Sequence, residues 1–348
     1  MRTKETQKQD WIKLVNVASC IAVVFLHTNG CFWTFSTERY WFTANIIECV
    51  FYFAVPCFFM ISGATLMDYR ERYTLRTYLE KRTKKTLIPY IVWSAIGILY
   101  SVAIGSLSIT DVSARFVWDA FIYSKAVSIY WFFPILFGLY LTIPLLTAVR
   151  RDARKEVFSM AAMIMFIFGS VIPFVLKIAD KQVVWNNALN VQLGGYVFYL
   201  LVGYLSQECG LNKRQRLVIY FLGIAGLLMH ICGTYYLSIN AGEIIQVYKG
   251  YLNVPCIMYS LSIFVWCRYN SQKVFNRRIM KAVIDMINPH SLSIYLLQYF
   301  IYSTMIRVFD INVFSIVYRL GAPIIILLTA TIISKGIKRI PVIRAIMP

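Results

Sequence analysis

The chain of 348 residues is 59% hydrophobic and 16% aromatic, and only 15% of its residues are charged. A soluble globular domain carries roughly 25% charged residues, so this composition excludes a water-soluble fold and points to a polytopic membrane protein. The formal net charge of +19 would suggest a nucleic-acid partner in a soluble chain. Here it is expected to be loop charge that fixes topology against anionic membrane lipid, with no nucleic acid involved.

Apolar runs separated by short polar stretches predict ten helices, at 11–33, 44–67, 86–107, 127–148, 157–177, 191–207, 217–238, 250–267, 289–307 and 318–335. With no linker, repeat or soluble insertion between them, they predict one all-α transmembrane domain over residues 1–348. The first run is too long for a signal-peptide core and is expected to be retained as a span. If both termini are cytoplasmic, 27 of the 35 Lys and Arg residues fall on the inner side, including seven between Arg70 and Lys85. That asymmetry predicts ten spans with both ends inside; the chain is expected to lie in the cell (inner) membrane. The eight cysteines lie in or beside apolar runs without metal-ligand spacing, so they read as small hydrophobes and no metal is expected.

In the first helix, about 100° per residue brings Lys13, Asn16, Cys20 and His27 within roughly 60° of one another. An ionisable residue inside a span is costly and marks a functional site by default. The competing reading is a histidine that hydrogen-bonds across a helix interface. Glu48 is the one carboxylate placed clearly inside a span; it either snorkels to the outer interface, orients His27 or binds acceptor hydroxyls. The loop ending Lys81-Arg82-Thr83-Lys84-Lys85 anchors topology or forms a phosphate cradle. Tyr130 and Trp131, at the outer end of the fourth helix, read as an aromatic belt or a sugar platform. Gly30, Gly63 and Gly203 are expected to serve close helix packing. His230 and His290 are expected to be structural.

Several stretches in order resemble the acyltransferase 3 family of integral-membrane O-acyltransferases. Asn16 and His27 occupy the places of the family's basic residue and, after ten intervening positions, its histidine. Residues 53–63 (Phe-Ala-Val-Pro-Cys-Phe-Phe-Met-Ile-Ser-Gly) resemble its second span, and in 81–90 Arg82 and Lys85 stand where it often has two arginines three apart. Residues 130–146, 194–205 and 291–298 resemble its later signatures. Two positions depart from the pattern: Asn16 replaces the first-helix arginine, and Gln298 replaces a histidine often found after Ile-Tyr-Leu. Asn16 carries no charge, which leaves Lys13 one turn away as the nearest substitute. Gln298 keeps hydrogen bonding but not proton transfer.

The resemblance implies transfer of an acyl group, expected to be acetyl, from cytosolic acetyl-coenzyme A to a hydroxyl of an envelope or exported glycan or glycolipid. His27 would act as general base, since an unperturbed pKa of about 6.5 suits proton transfer near neutrality. It stands roughly 20 Å along the helix from the cytoplasmic foot. Arg82, Lys85, Lys13 and Asn16 would hold the donor, and Tyr130, Trp131 and Gln298 the acceptor. Two other readings fit the same residues, a multi-span transporter or flippase and an inactive acyltransferase-like scaffold. No repeat places prolines at matching positions of two halves, as many transporters would.

Overall fold

The computed structural model describes residues 4–181, 195–341 and 343–347. Among the described residues there are helices and no strands. In chain order they are α1 Lys4–Thr28, α2 Arg39–Phe51, α3 Ala54–Leu66, α4 Leu75–Arg82, α5 Ile88–Ala103, α6 Ala114–Ile122, α7 Phe132–Leu146, α8 Arg151–Phe166, α9 Ile172–Ile178, α10 Val197–Glu208, α11 Lys213–Ala241, α12 Val254–Phe275, α13 Arg278–Ile287, α14 Ser291–Phe309 and α15 Ile316–Ile337.

Eight helical stretches among the described residues are long and apolar enough to cross a membrane. The two other predicted spans are helices of different character. The described part of α10 is 12 residues, and the start of its predicted run lies outside the described residues. α12 is 22 residues long, but Arg268, Asn270, Ser271, Gln272 and Lys273 dilute its apolar run. The architecture is thus an all-α, multi-pass membrane protein.

The predicted second span, 44–67, is one stretch broken at Tyr52–Phe53 between α2 and α3. Pro56 supplies the reason: it has no N–H for the carbonyl four residues back, that of Tyr52, and its ring crowds that turn. A second irregularity is the π turn Thr83–Leu87, which carries Lys84 and Lys85 between α4 and α5. Such turns widen a helix locally and are frequent at functional sites.

Helix α1 runs through the middle of the bundle, with Val15 and Ala22 fully buried. Around it the helices approach through small residues. A Cβ on Gly63 would lie 2.0 Å from the Leu200 carbonyl oxygen, and one on Gly203 would lie 2.0 Å from that of Met60, so α3 and α10 meet backbone to backbone. Gly30, expected to do the same, has open space where a Cβ would stand and serves no close packing. α8 and α11 turn Met160, Met163, Phe221, Ile224 and Leu228 outward, as a lipid-facing surface requires.

Candidate active site

The polar face of α1 lies along α14. The Asn16 amide donates to Asn288 Oδ1 (2.9 Å) and to Ser291 Oγ (2.8 Å), and the Cys20 thiol points at the Ser291 carbonyl (3.8 Å). Further along, the His27 ring meets the Tyr295 ring at a centroid distance of 6.0 Å, inclined by 61°. Gln298, one turn beyond Tyr295 on α14, has its side chain beside the imidazole.

The polar groups that converge there have capacity to spare. His27 Nδ1 and Gln298 Oε1 are buried without a hydrogen-bond partner, and Gln298 donates its amide hydrogen to the Tyr295 carbonyl at 3.2 Å. A buried nitrogen left open in this way is costly unless a ligand completes it. Tyr130 and Tyr295 tie the wall together: the Tyr130 hydroxyl donates to the Leu296 carbonyl (2.6 Å), and the Tyr295 hydroxyl donates to the Ile129 carbonyl. Tyr130 is fully buried, not part of an interfacial belt, and its hydroxyl is committed to α14.

Glu48 does not reach for the interface. One oxygen accepts from the Lys249 ammonium at 2.8 Å and the other from the Asn29 amide at 3.5 Å. Both members of the ion pair are desolvated, Lys249 completely and Glu48 to 5%. The Lys249 Nζ also sits 3.6 Å from the centre of the Tyr52 ring and about 5 Å from those of Phe32 and Trp33. Tyr52 stacks on Tyr251 at 4.2 Å, and Tyr251 on Trp131 at 5.7 Å. Trp131 therefore caps an aromatic column whose base holds a buried charge pair. His230 meets the edge of Tyr52 at 5.2 Å and is buried with neither ring nitrogen bonded.

On the N-terminal side of His27, the turn Asn288–His290 meets Lys338. Lys338, just past α15, donates to the Pro289 carbonyl at 2.8 Å, next to the asparagine that holds Asn16. Burial, then the nearby charge of Lys85, pulls the Lys338 ammonium below the ordinary lysine value. His290 Nδ1 shares a hydrogen bond with Ser334 at 2.8 Å. Arg82 lies across the Tyr140 ring (5.4 Å) and the Tyr78 ring (5.8 Å), its Nε buried and unpartnered. Lys13 is half-buried one turn before Asn16, and Lys85 is exposed.

The sequence pattern brings out Asn16, Cys20 and His27 as one face, and misses Lys249 and Lys338. Lys249 had a signal, since a buried Glu48 demands a counter-charge. Lys338 had none, because only the folded chain carries the end of α15 to the turn before α14. Among the described residues no group of His, Cys, Asp and Glu could hold a metal ion.

In this multi-pass bundle the polar face of α1 thus runs along α14, from the Asn16 hydrogen bonds to the contact of His27 with Tyr295. The model of the acyltransferase 3 family, an acyltransferase domain, matches residues 9–334, and the chain belongs to that family. Neither the curated proteins nor the solved structures gave a match to it.

Proposed function

We propose that this membrane acyltransferase moves an acetyl group from cytosolic acetyl-coenzyme A to a hydroxyl of an envelope or exported glycan. The observation that carries the reading is His27, whose buried, unpartnered Nδ1 stands between α1 and α14. Imidazole accepts the hydroxyl proton as the oxygen attacks the thioester carbonyl carbon. The C–S bond then breaks, and the imidazolium returns the proton to the departing thiolate. The Gln298 amide orients the imidazole or the acceptor, in place of a second proton carrier.

Donor phosphates bind on the cytosolic side at Arg82, Lys85 and Lys13, with Lys338 at the same turn, so both termini are inside. Asn16 contributes by fixing the Asn288–Ser291 turn rather than by charge. The acceptor enters from the other end, where Trp131 is half-exposed. Tyr130 shapes the acceptor wall through Tyr295. Glu48, through Asn29 two residues past His27, positions the end of α1.

The test is incubation of membranes with labelled acetyl-coenzyme A. Wild type should label the glycan fraction and His27→Ala should not. Equal labelling by the variant would remove the basis of the mechanism.

A further inference from the structure

A cavity lies on the α5–α14 side of the bundle. It has a volume of about 250 Å³, and its walls include Ser101, Ser106, Phe116, Lys125, Ala126 and Tyr299. Sites for drug-sized ligands run to roughly 300–1,000 Å³, so this one suits a single ring or a short piece of chain. Its lining combines the hydroxyls of Ser101 and Ser106 and the rings of Phe116 and Tyr299 with the aliphatic Ile98 and Leu107. The cation Lys125 is already held by Asp119 at 3.0 Å, so the cavity offers no free charge to a phosphate.

Its position ties it to His27. Tyr299 is four residues beyond Tyr295 on α14, so the two rings leave the same face one turn apart. Tyr295 touches His27, and its hydroxyl is held by the carbonyl of Ile129, three residues beyond Ala126 in the cavity wall. The wall is stiff: a Cβ on Gly97 of α5 would lie 2.4 Å from Val127 Cγ2, so α5 presses directly on the 126–127 segment. Ser101 is 16 residues past Lys85, or roughly 24 Å along a helix, which puts the cavity at the end of the bundle away from the cationic rim.

We propose that this cavity is the acceptor subsite, binding one uncharged pyranose ring of the glycan between Phe116 and Tyr299, with Ser101 and Ser106 hydrogen-bonding its hydroxyls. The inference rests on the acetyl-transfer reading and gives the acceptor a second point of attachment, one turn of α14 beyond the tyrosine that touches His27.

Two measurements test it, both with the glycan fraction extracted from the host membranes as the probe. In the first, labelled acetyl transfer is followed as glycan concentration varies. Ser101→Trp, which fills the cavity, and Tyr299→Ala, which removes a wall without adding bulk, should each raise the apparent KM for glycan at least tenfold and leave that for acetyl-coenzyme A within twofold. Ala241→Trp, at a separate cavity between α9 and α11, should change neither. In the second, which needs no turnover, a Ser106→Cys protein in a background lacking the native cysteines is labelled with a maleimide. Glycan should slow labelling, whereas acetyl-coenzyme A and phospholipid vesicles should not. An unchanged glycan KM in a folded Tyr299→Ala protein, or protection by vesicles alone, would overturn the subsite. Protection of the Ser106→Cys protein by glycan, together with no acetyl transfer by the wild type, would keep the subsite and overturn the transfer reading instead.

Discussion

The Glu48 carboxylate and the Lys249 ammonium lie 2.8 Å apart, with neither side chain effectively open to solvent. They join α2 to the segment between α11 and α12, across 201 residues of chain. Removing one partner of such a pair leaves a bare charge in a low-dielectric interior, commonly costing about 3–5 kcal/mol, whereas replacing both with apolar groups is often neutral. Lys249→Met should therefore lower the thermal midpoint of the detergent-solubilised protein strongly, and Glu48→Leu combined with Lys249→Met should recover most of the loss. Equal midpoints for the single and double variants would mean that the pair does not hold these segments together.

His27→Ala should insert normally and keep donor binding while losing transfer by about 10²- to 10⁴-fold, roughly 3 to 5 kcal/mol of transition-state stabilisation. His27→Gln should fare little better, because glutamine keeps a hydrogen bond without a proton acceptor. Single-turnover rates beside donor affinity separate the two effects. A glutamine variant within a few-fold of wild type would make His27 an orienting residue.

Arg82→Gln and Lys85→Gln should raise the KM for acetyl-coenzyme A and leave the glycan KM nearly constant, since charge-assisted bonds to phosphate are lost. The pH dependence should follow Lys338. Its ammonium is held below the ordinary lysine value by burial and by Lys85, so the native state loses that proton at a lower pH than the unfolded chain. Folding stability from this group therefore rises as pH climbs from the lowered value toward the ordinary one. Donor affinity moves the other way, because the neutral amine no longer attracts phosphate. The donor KM should rise with pH in that alkaline window, and Lys85→Gln, by removing the neighbouring charge, should shift the rise to higher pH. A rise at the same pH in both proteins would separate Lys338 from the donor.

Gly63→Ala and Gly203→Ala each place a methyl group against a partner backbone carbonyl, where nothing flexible can give way. Overpacking typically costs about 1–3 kcal/mol, and here α3 and α10 must separate along their contact. Both variants should show a lower midpoint in detergent, while Gly30→Ala, with free space at that position, should match wild type.

Labelling of single introduced cysteines in intact and permeabilised cells should find residues 70–85 and both termini accessible only after permeabilisation. Reaction of the 70–85 loop in intact cells would reverse the placement of donor and acceptor.

What the sequence determined by itself was the class and the polar face of α1 along which the candidate site is proposed. Long apolar runs have one solution in a bilayer, because every backbone group must be satisfied within its own segment, and the helical period alone puts Asn16, Cys20 and His27 on one face. Only the tertiary structure decided what that face meets. The pairing of Glu48 with Lys249, the column from Trp131 through Tyr251 to Tyr52, the arrival of Lys338 beside Pro289 and the contact of His27 with Tyr295 all join segments far apart in the chain. Periodicity specifies which way a side chain points from its own helix. It carries no information about which helix lies opposite, and that choice is made by close packing, such as the glycine contacts between α3 and α10, and by the cost of leaving a buried charge alone.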